Sequence, residues 1–102
     1  MLDFALKATG FLKDKERSDL EIDEIRTLAA AHLVEMISHA AETVTPDFRE
    51  KYKEVPWMQI TAAGERLSPG DGEIDTDMVW AITSRDLPAL IIKLRKIIRE
   101  EG

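Results

Sequence analysis

Apolar residues recur along this chain at steps of three and four, and no stretch alternates with a period of two, the pattern of helices that pack by one face rather than of strands. Leu2, Ala5, Leu6, Thr9 and Leu12 form the first stripe, widened by Phe4, Ala8 and Phe11. The charged run Lys13 to Arg17 ends it. Gly10 costs such a helix about 1 kcal/mol relative to alanine and marks a kink or a close approach. Ser18 followed by Glu21 fits a capping box, which satisfies two unpaired amides at a helix start. The clearest helix of the chain follows, with Ile22, Ile25, Ala29, Leu33, Met36, Ile37, Ala40 and Val44 on one face. Alanines at 29 to 31, 40 and 41 allow another helix to approach closely, and so long an apolar face needs helices on it from this chain or from a second copy.

Thr45-Pro46-Asp47 is a further start signal: threonine as cap, proline at the first helical position, aspartate suited to the dipole. Phe48 and Tyr52 then share one side of a short helix that Val55-Pro56 ends, because the residue before proline is pushed out of the helical region. Trp57, Ile60, Ala63 and Leu67 restore the helical period up to Ser68-Pro69-Gly70-Asp71-Gly72, a strong turn signal. Asp75 or Asp77 caps the next helix, which buries Met78, Val79 and Ile82 with Trp80 nearby. Asp86 caps the last, with Pro88 in its first turn and Leu87, Leu90, Ile91, Leu94, Ile97 and Ile98 as its stripe. Lys93, Arg95, Lys96 and Arg99 lie toward its C-terminal half, where positive charge suits the dipole. The expected fold is all-α, an antiparallel bundle of four to five helices, with residues 1–102 as a single domain.

Composition narrows the function. The chain has 102 residues, a formal net charge of −6 and no cysteine. One modest core fits that length. A negative balance argues against a surface built to neutralise many phosphates, so RNA is a possible partner that charge does not support. Lys13 to Arg17 reads as a solvated turn rather than a nucleic-acid patch. Disulfides and thiolate metal sites are excluded, and no apolar run suffices to span a bilayer. The expected setting is soluble and cytoplasmic, with no membrane, metal or cofactor.

The stretch from Val55 to Pro88 carries most of the functional information. Val55-Pro56-Trp57, Asp75, Val79-Trp80 and Asp86-Leu87-Pro88, with Glu35-Met36-Ile37, Ala40-Ala41 and Phe48-Arg49 upstream, resemble the HepT-like family. That family is the toxin side of toxin-antitoxin pairs whose antitoxin is a minimal nucleotidyltransferase. The resemblance implies a helical protein that binds such an enzyme; the apolar faces of the long and last helices, larger than a bundle of this length covers alone, lead to the expectation of a homodimer. The resemblance also implies a ribonuclease motif of arginine, histidine and tyrosine, the first two acting on RNA and the tyrosine receiving AMP. Aligned without gaps between Trp57 and Trp80, those places are held by Gly64, Pro69 and Asp71.

RNA cleavage needs a group of near-neutral pKa to take the 2′-hydroxyl proton and a fixed cation for the charge developing on phosphate. Proline supplies neither, glycine has no side chain, and Asp71 brings negative charge where a nucleotide phosphate would approach. Arg66, two residues beyond Gly64, is turned to another helix face. Relocated chemistry has its candidates in His32, Glu35 and His39, which share one helix face, and in Arg66. His32 also falls within the apolar stripe, where a hydrogen-bonded core or interface role is the plainer expectation. Asp71, Glu73, Asp75 and Asp77 alternate like a calcium loop, but Thr76 and Ile82 stand where its glycine and final glutamate belong. Pro69-Gly70-Asp71-Gly72 lacks the lysine and hydroxyl residue of a phosphate loop. The expected function is a dimerising HepT-like module that binds a minimal nucleotidyltransferase with its nuclease motif lost. The alternatives are a ribonuclease toxin with a relocated site and a subunit that presents substrate to a nucleotidyltransferase.

Overall fold

The computed structural model describes residues 1–67 and 74–101, and all regular structure within them is helical. The segments are α1 (Leu2–Phe11), α2 (Asp19–Ile22), α3 (Glu24–Glu42), α4 (Pro46–Lys51), α5 (Trp57–Leu67), α6 (Thr76–Ala81) and α7 (Leu87–Glu101), with a π-helical turn at Ile82–Asp86 joining the last two. Counting the run from Thr76 to Glu101 as one, six helical segments stand where four to five were expected. The extra one is α2, a single turn.

The long helix starts later than the Ser18–Glu21 pattern predicts. Ser18 makes no side-chain cap hydrogen bond, and the chain bends at Asp23, φ −99° and ψ 80°. Asp23 is the cap instead: its carboxylate accepts from the Arg26 amide and from Arg26 Nε, both at 3.0 Å. Downstream the start signals hold. Thr45 accepts from the Phe48 amide and Asp75 from the Met78 amide. The Thr45 helix ends at Lys51, before Val55-Pro56 is reached.

The buried side of α3 is rotated from the predicted stripe. Thr27, Ala30, Ala31, Val34, Ile37, Ser38 and Ala41 are buried, whereas Ile22 and Ile25 are 84% and 82% exposed. Small side chains on that side let α1 and α5 both pack on α3, which bulkier residues would hold apart. Thr27 is admitted because its hydroxyl donates to the Leu20 carbonyl at 2.7 Å, satisfying a polar group that burial would otherwise make costly. α1 buries Ala5 and Ala8. α5 buries Trp57, Ile60, Ala63 and Leu67, as its period predicts. On α7 the predicted stripe is buried except for Ile98, which is 54% exposed.

The predicted break at Asp86 is not there. Helix continues through the π turn, where the Leu87 amide donates to the Ile82 carbonyl. Pro88 explains the local widening: it has no N–H to donate and its ring crowds the carbonyl four residues back. Hydroxyls stabilise the distorted rungs, Thr83 Oγ1 donating to the Val79 carbonyl at 2.7 Å and Ser84 Oγ to the Trp80 carbonyl at 2.5 Å. Asp86 caps nothing and lies 3.6 Å from Arg85 Nε.

The far end of α7 is tied to the turn after α4. Glu101 accepts from Lys51 Nζ at 2.7 Å and from the Tyr52 hydroxyl. Hydrogen bonds from Lys51 and Tyr52 hold the Glu101 carboxyl below its usual range, and the Arg26 amide does the same for Asp23. A depressed folded-state pKa gives stability that is present above the unfolded pKa and lost as pH falls through the folded one. Stability should therefore decline between neutral pH and the acid side of the carboxylate range. Glu101→Gln should flatten that decline, measured as urea midpoints across the pH series.

Candidate functional site

The place where the family motif begins is built on α5 and faced by α3. Gly64 sits in the middle of α5, and its amide donates to Ser38 Oγ at 3.1 Å. The same hydroxyl donates to the Ile60 carbonyl at 2.7 Å. Ser38 thus inserts itself at both ends of the rung that joins Gly64 to Ile60, fixing α5 on α3 through a buried hydrogen-bond pair. Sequence inspection missed Ser38. Its available signal was a serine spaced four residues from Val34 and three from Ala41, among the alanines that mark the buried side.

Around Gly64 lies a shallow notch of about 220 Å³ lined by Glu35, Ser38, His39, Glu42, Thr61 and Glu65. The predicted trio does share one side of α3. His32 Nδ1 lies 4.0 Å from Glu35 Oε2, and Glu35 and His39 both line the notch. His32 is not in the core: its side chain is 69% exposed, because the rotation of α3 that buries Ala30 and Ala31 turns position 32 outward. Arg66 does not join them. It lies on the opposite wall of α5, where its Nη2 reaches the Gln59 carbonyl at 3.5 Å and borders a second, larger cleft toward α7.

The end of α5 and the cap of α6 are joined directly: the Asp75 amide donates to the Leu67 carbonyl at 2.7 Å. Pro69, Asp71 and Glu73, and with them the Ser68–Gly72 turn, lie outside the described residues. Asp77 is engaged elsewhere, at 2.5 Å from Arg17. Near Arg49 the Nη2 group donates to the Ala41 carbonyl at 2.6 Å, while the buried Nε meets no partner among the described residues. No group of histidine and carboxylate side chains among those residues is arranged to hold a metal ion. No described helix is long and apolar enough to cross a membrane.

Chemically the notch offers carboxylates and the His39 imidazole, with His32 beside Glu35 and the Arg49 guanidinium in an adjoining hollow that shares Glu42, Thr61 and Glu65. A Cβ built at Gly64 would meet Glu35 Cγ and Ser38 Oγ at 3.6 Å, ordinary van der Waals contact. A Cβ is therefore accepted there without strain. Gly64→Ala should stabilise the fold by about 1 kcal/mol from helix propensity, measured by chemical unfolding; a loss of stability would contradict the described spacing.

An all-α bundle in which α3 faces α5 across the Gly64 notch defines the class to which this chain must be compared. The chain belongs to the Ribonuclease HepT-like family, whose model matches residues 1–97. It is 24% identical over 104 residues to a putative RNase of Caldanaerobacter subterraneus subsp. tengcongensis, covering 98% of this chain and 93% of that one. It is 24% identical over 79 residues to a probable ribonuclease HepT of Thermococcus cleftensis, covering 78% and 72%. A gamma-glutamylcyclotransferase and putative RNase of Methanocaldococcus jannaschii is 27% identical over 90 residues. That match covers 88% of this chain but only 40% of the longer relative. No solved structure matches.

Proposed function

We propose that this chain is a binding member of its family: it forms a homodimer and binds a minimal nucleotidyltransferase, and it lacks the family's ribonuclease chemistry. Gly64 carries this assignment. Where the HepT-like resemblance calls for arginine, α5 presents a bare backbone amide already engaged by Ser38, and the neighbouring Arg66 faces away from Glu35 and His39. The notch itself is lined by Glu35, Glu42 and Glu65, and the cation that borders it, Arg49, shares its hollow with Glu42 and Glu65 and donates to the Ala41 carbonyl, so carboxylates outnumber cations where a phosphate would approach.

Self-association is supported by an apolar ridge on the outside of the α2–α3 corner. Ile22, Ile25 and Leu28 are 84%, 82% and 47% exposed, a contiguous patch of the kind that interfaces cover. Sedimentation at micromolar concentration should give a dimer mass, and Ile25→Glu should shift it to monomer. The principal experiment is co-expression with a nucleotidyltransferase encoded beside this chain, together with incubation of the purified protein with RNA. A stable complex and intact RNA are expected; absence of the complex, or robust cleavage by clean protein, would overturn the assignment.

The second interpretation, a ribonuclease with relocated groups, rests on the His32–Glu35 approach of 4.0 Å. An exposed imidazole beside a carboxylate has the composition of a general base. It predicts RNA cleavage that His32→Ala abolishes while leaving stability unchanged.

A further inference from the structure

The bundle has an open seam. α1 packs on α3, α3 on α5 and α1 on α7, but α5 and α7 share no comparable contact. Between them is a cleft of about 240 Å³ whose floor is Val34 and Ile37 of α3. Ile60 and Ala63 line one wall, Leu87 and Leu90 the other. Both ends are held: α6 packs against α5 at one, and Lys51 and Tyr52 grip Glu101 at the other. A slot fixed at its ends stays open rather than collapsing on its apolar floor.

The rim inverts the sign of the whole molecule. On a chain of net charge −6, the cleft is bordered by Arg66 from α5, Arg85 from the π turn and Lys93 from α7, against Asp86 alone. Arg85 is partly neutralised by that aspartate at 3.6 Å. Arg66 and Lys93 remain on opposing walls, paired with no carboxylate within salt-bridge distance among the described residues. An apolar trough between cations is complementary to a helix that has an apolar stripe flanked by carboxylates, the helix-in-groove mode of recognition. The volume falls below the range that encloses a drug-sized ligand, and suits a few inserted aliphatic side chains.

We infer that the α5–α7 cleft is the docking site for an acidic amphipathic helix of the partner protein. This rests on the nucleotidyltransferase partnership proposed above and names the element of the partner that engages this chain. The helix lays apolar side chains over Ile37 and Ile60 while its carboxylates meet Arg66 and Lys93. The acidic Gly64 notch, on the other side of α5, stays clear.

The test uses the full chain and the purified neighbouring nucleotidyltransferase in titration calorimetry. Arg66→Glu with Lys93→Glu changes only the rim and should weaken binding at least tenfold, with the loss growing as salt is lowered. Ala89→Cys adds a single thiol at the rim of a chain that otherwise has none; its labelling should be blocked in the complex, whereas Lys7→Cys, at an exposed position of α1, should label at its free rate. A complex that forms with unchanged affinity in the double variant and leaves the Ala89→Cys thiol open would overturn the docking site while the partnership stands. No complex with the unaltered chain would overturn both. Protection of Lys7→Cys instead would move the contact to α1 and likewise refute the cleft.

Discussion

Trp57→Ala is expected to cost about 3–5 kcal/mol, the range for removing a large buried aromatic. That is a large fraction of the roughly 5–15 kcal/mol that holds a typical domain together. Trp57 is 7% exposed at the first turn of α5, packed edge-on to Phe48 with ring centroids 6.3 Å apart. Phe48 in turn stacks at a tilt on Tyr52, 4.9 Å away. The indole Nε1 donates to the Tyr52 carbonyl at 3.0 Å. That carbonyl also accepts from the Val55 amide at 3.2 Å, so it keeps a partner when the indole is removed. The loss is therefore chiefly apolar, and Trp57→Phe should recover most of it. Urea unfolding followed by far-UV circular dichroism checks both variants. A Trp57→Ala midpoint equal to that of the unaltered chain would mean that this aromatic group does not join α4 to α5.

How much of this was legible in the sequence depends on what each signal measures. Caps made of one side chain and one nearby amide, at Thr45 and Asp75, are local, and both formed as their spacing predicts. Periodicity located α3 and α7 but did not orient α3. Isoleucines weigh more than alanines in an apolar stripe, yet Ala30, Ala31 and Ala41 are buried beside Val34 and Ile37 while Ile22 and Ile25 are exposed, because helices on two sides of α3 approach most closely over its small residues. The same rotation put His32 outside. The Ser18–Glu21 box lost to Asp23, a competitor a few residues along that captures the amide and side chain of Arg26 together. At Asp86, proline's usual meaning as a helix start gave way to a π turn that absorbs it in mid-helix.

The site divides along the same line. Glu35 and His39 line one notch, as their helical spacing implies, and α5 brings Gly64 to it. Arg66 is separated from them, since two residues along a helix turn a side chain well away. What spacing could not supply is the open seam, which exists only because α5 and α7, distant in sequence, are held apart by what grips their ends. The cations around it come from three different segments.

Leu67→Ala should be the other costly substitution, at about 2.7–5.0 kcal/mol on the scale of buried leucine truncations. Leu67 is 0% exposed, the last residue of α5, and its carbonyl receives the Asp75 amide at 2.7 Å. Truncation removes apolar contacts from the buried core to which fully buried Val79 also belongs. The backbone bond survives, so the damage should appear as a lower unfolding midpoint with unchanged denaturant dependence. By contrast, Met58→Ala, at a side chain 82% exposed on the same helix, should stay within about 0.5 kcal/mol of the unaltered chain. Leu67 and Arg66 are neighbours with opposite duties. At a temperature where Leu67→Ala remains folded, it should bind the nucleotidyltransferase as the unaltered chain does. Charge reversal at Arg66 should leave unfolding nearly unchanged and weaken the complex. If Leu67→Ala weakened the complex at full folding, the inward and outward sides of α5 would not be separable, and the docking surface could not be confined to the α5–α7 cleft.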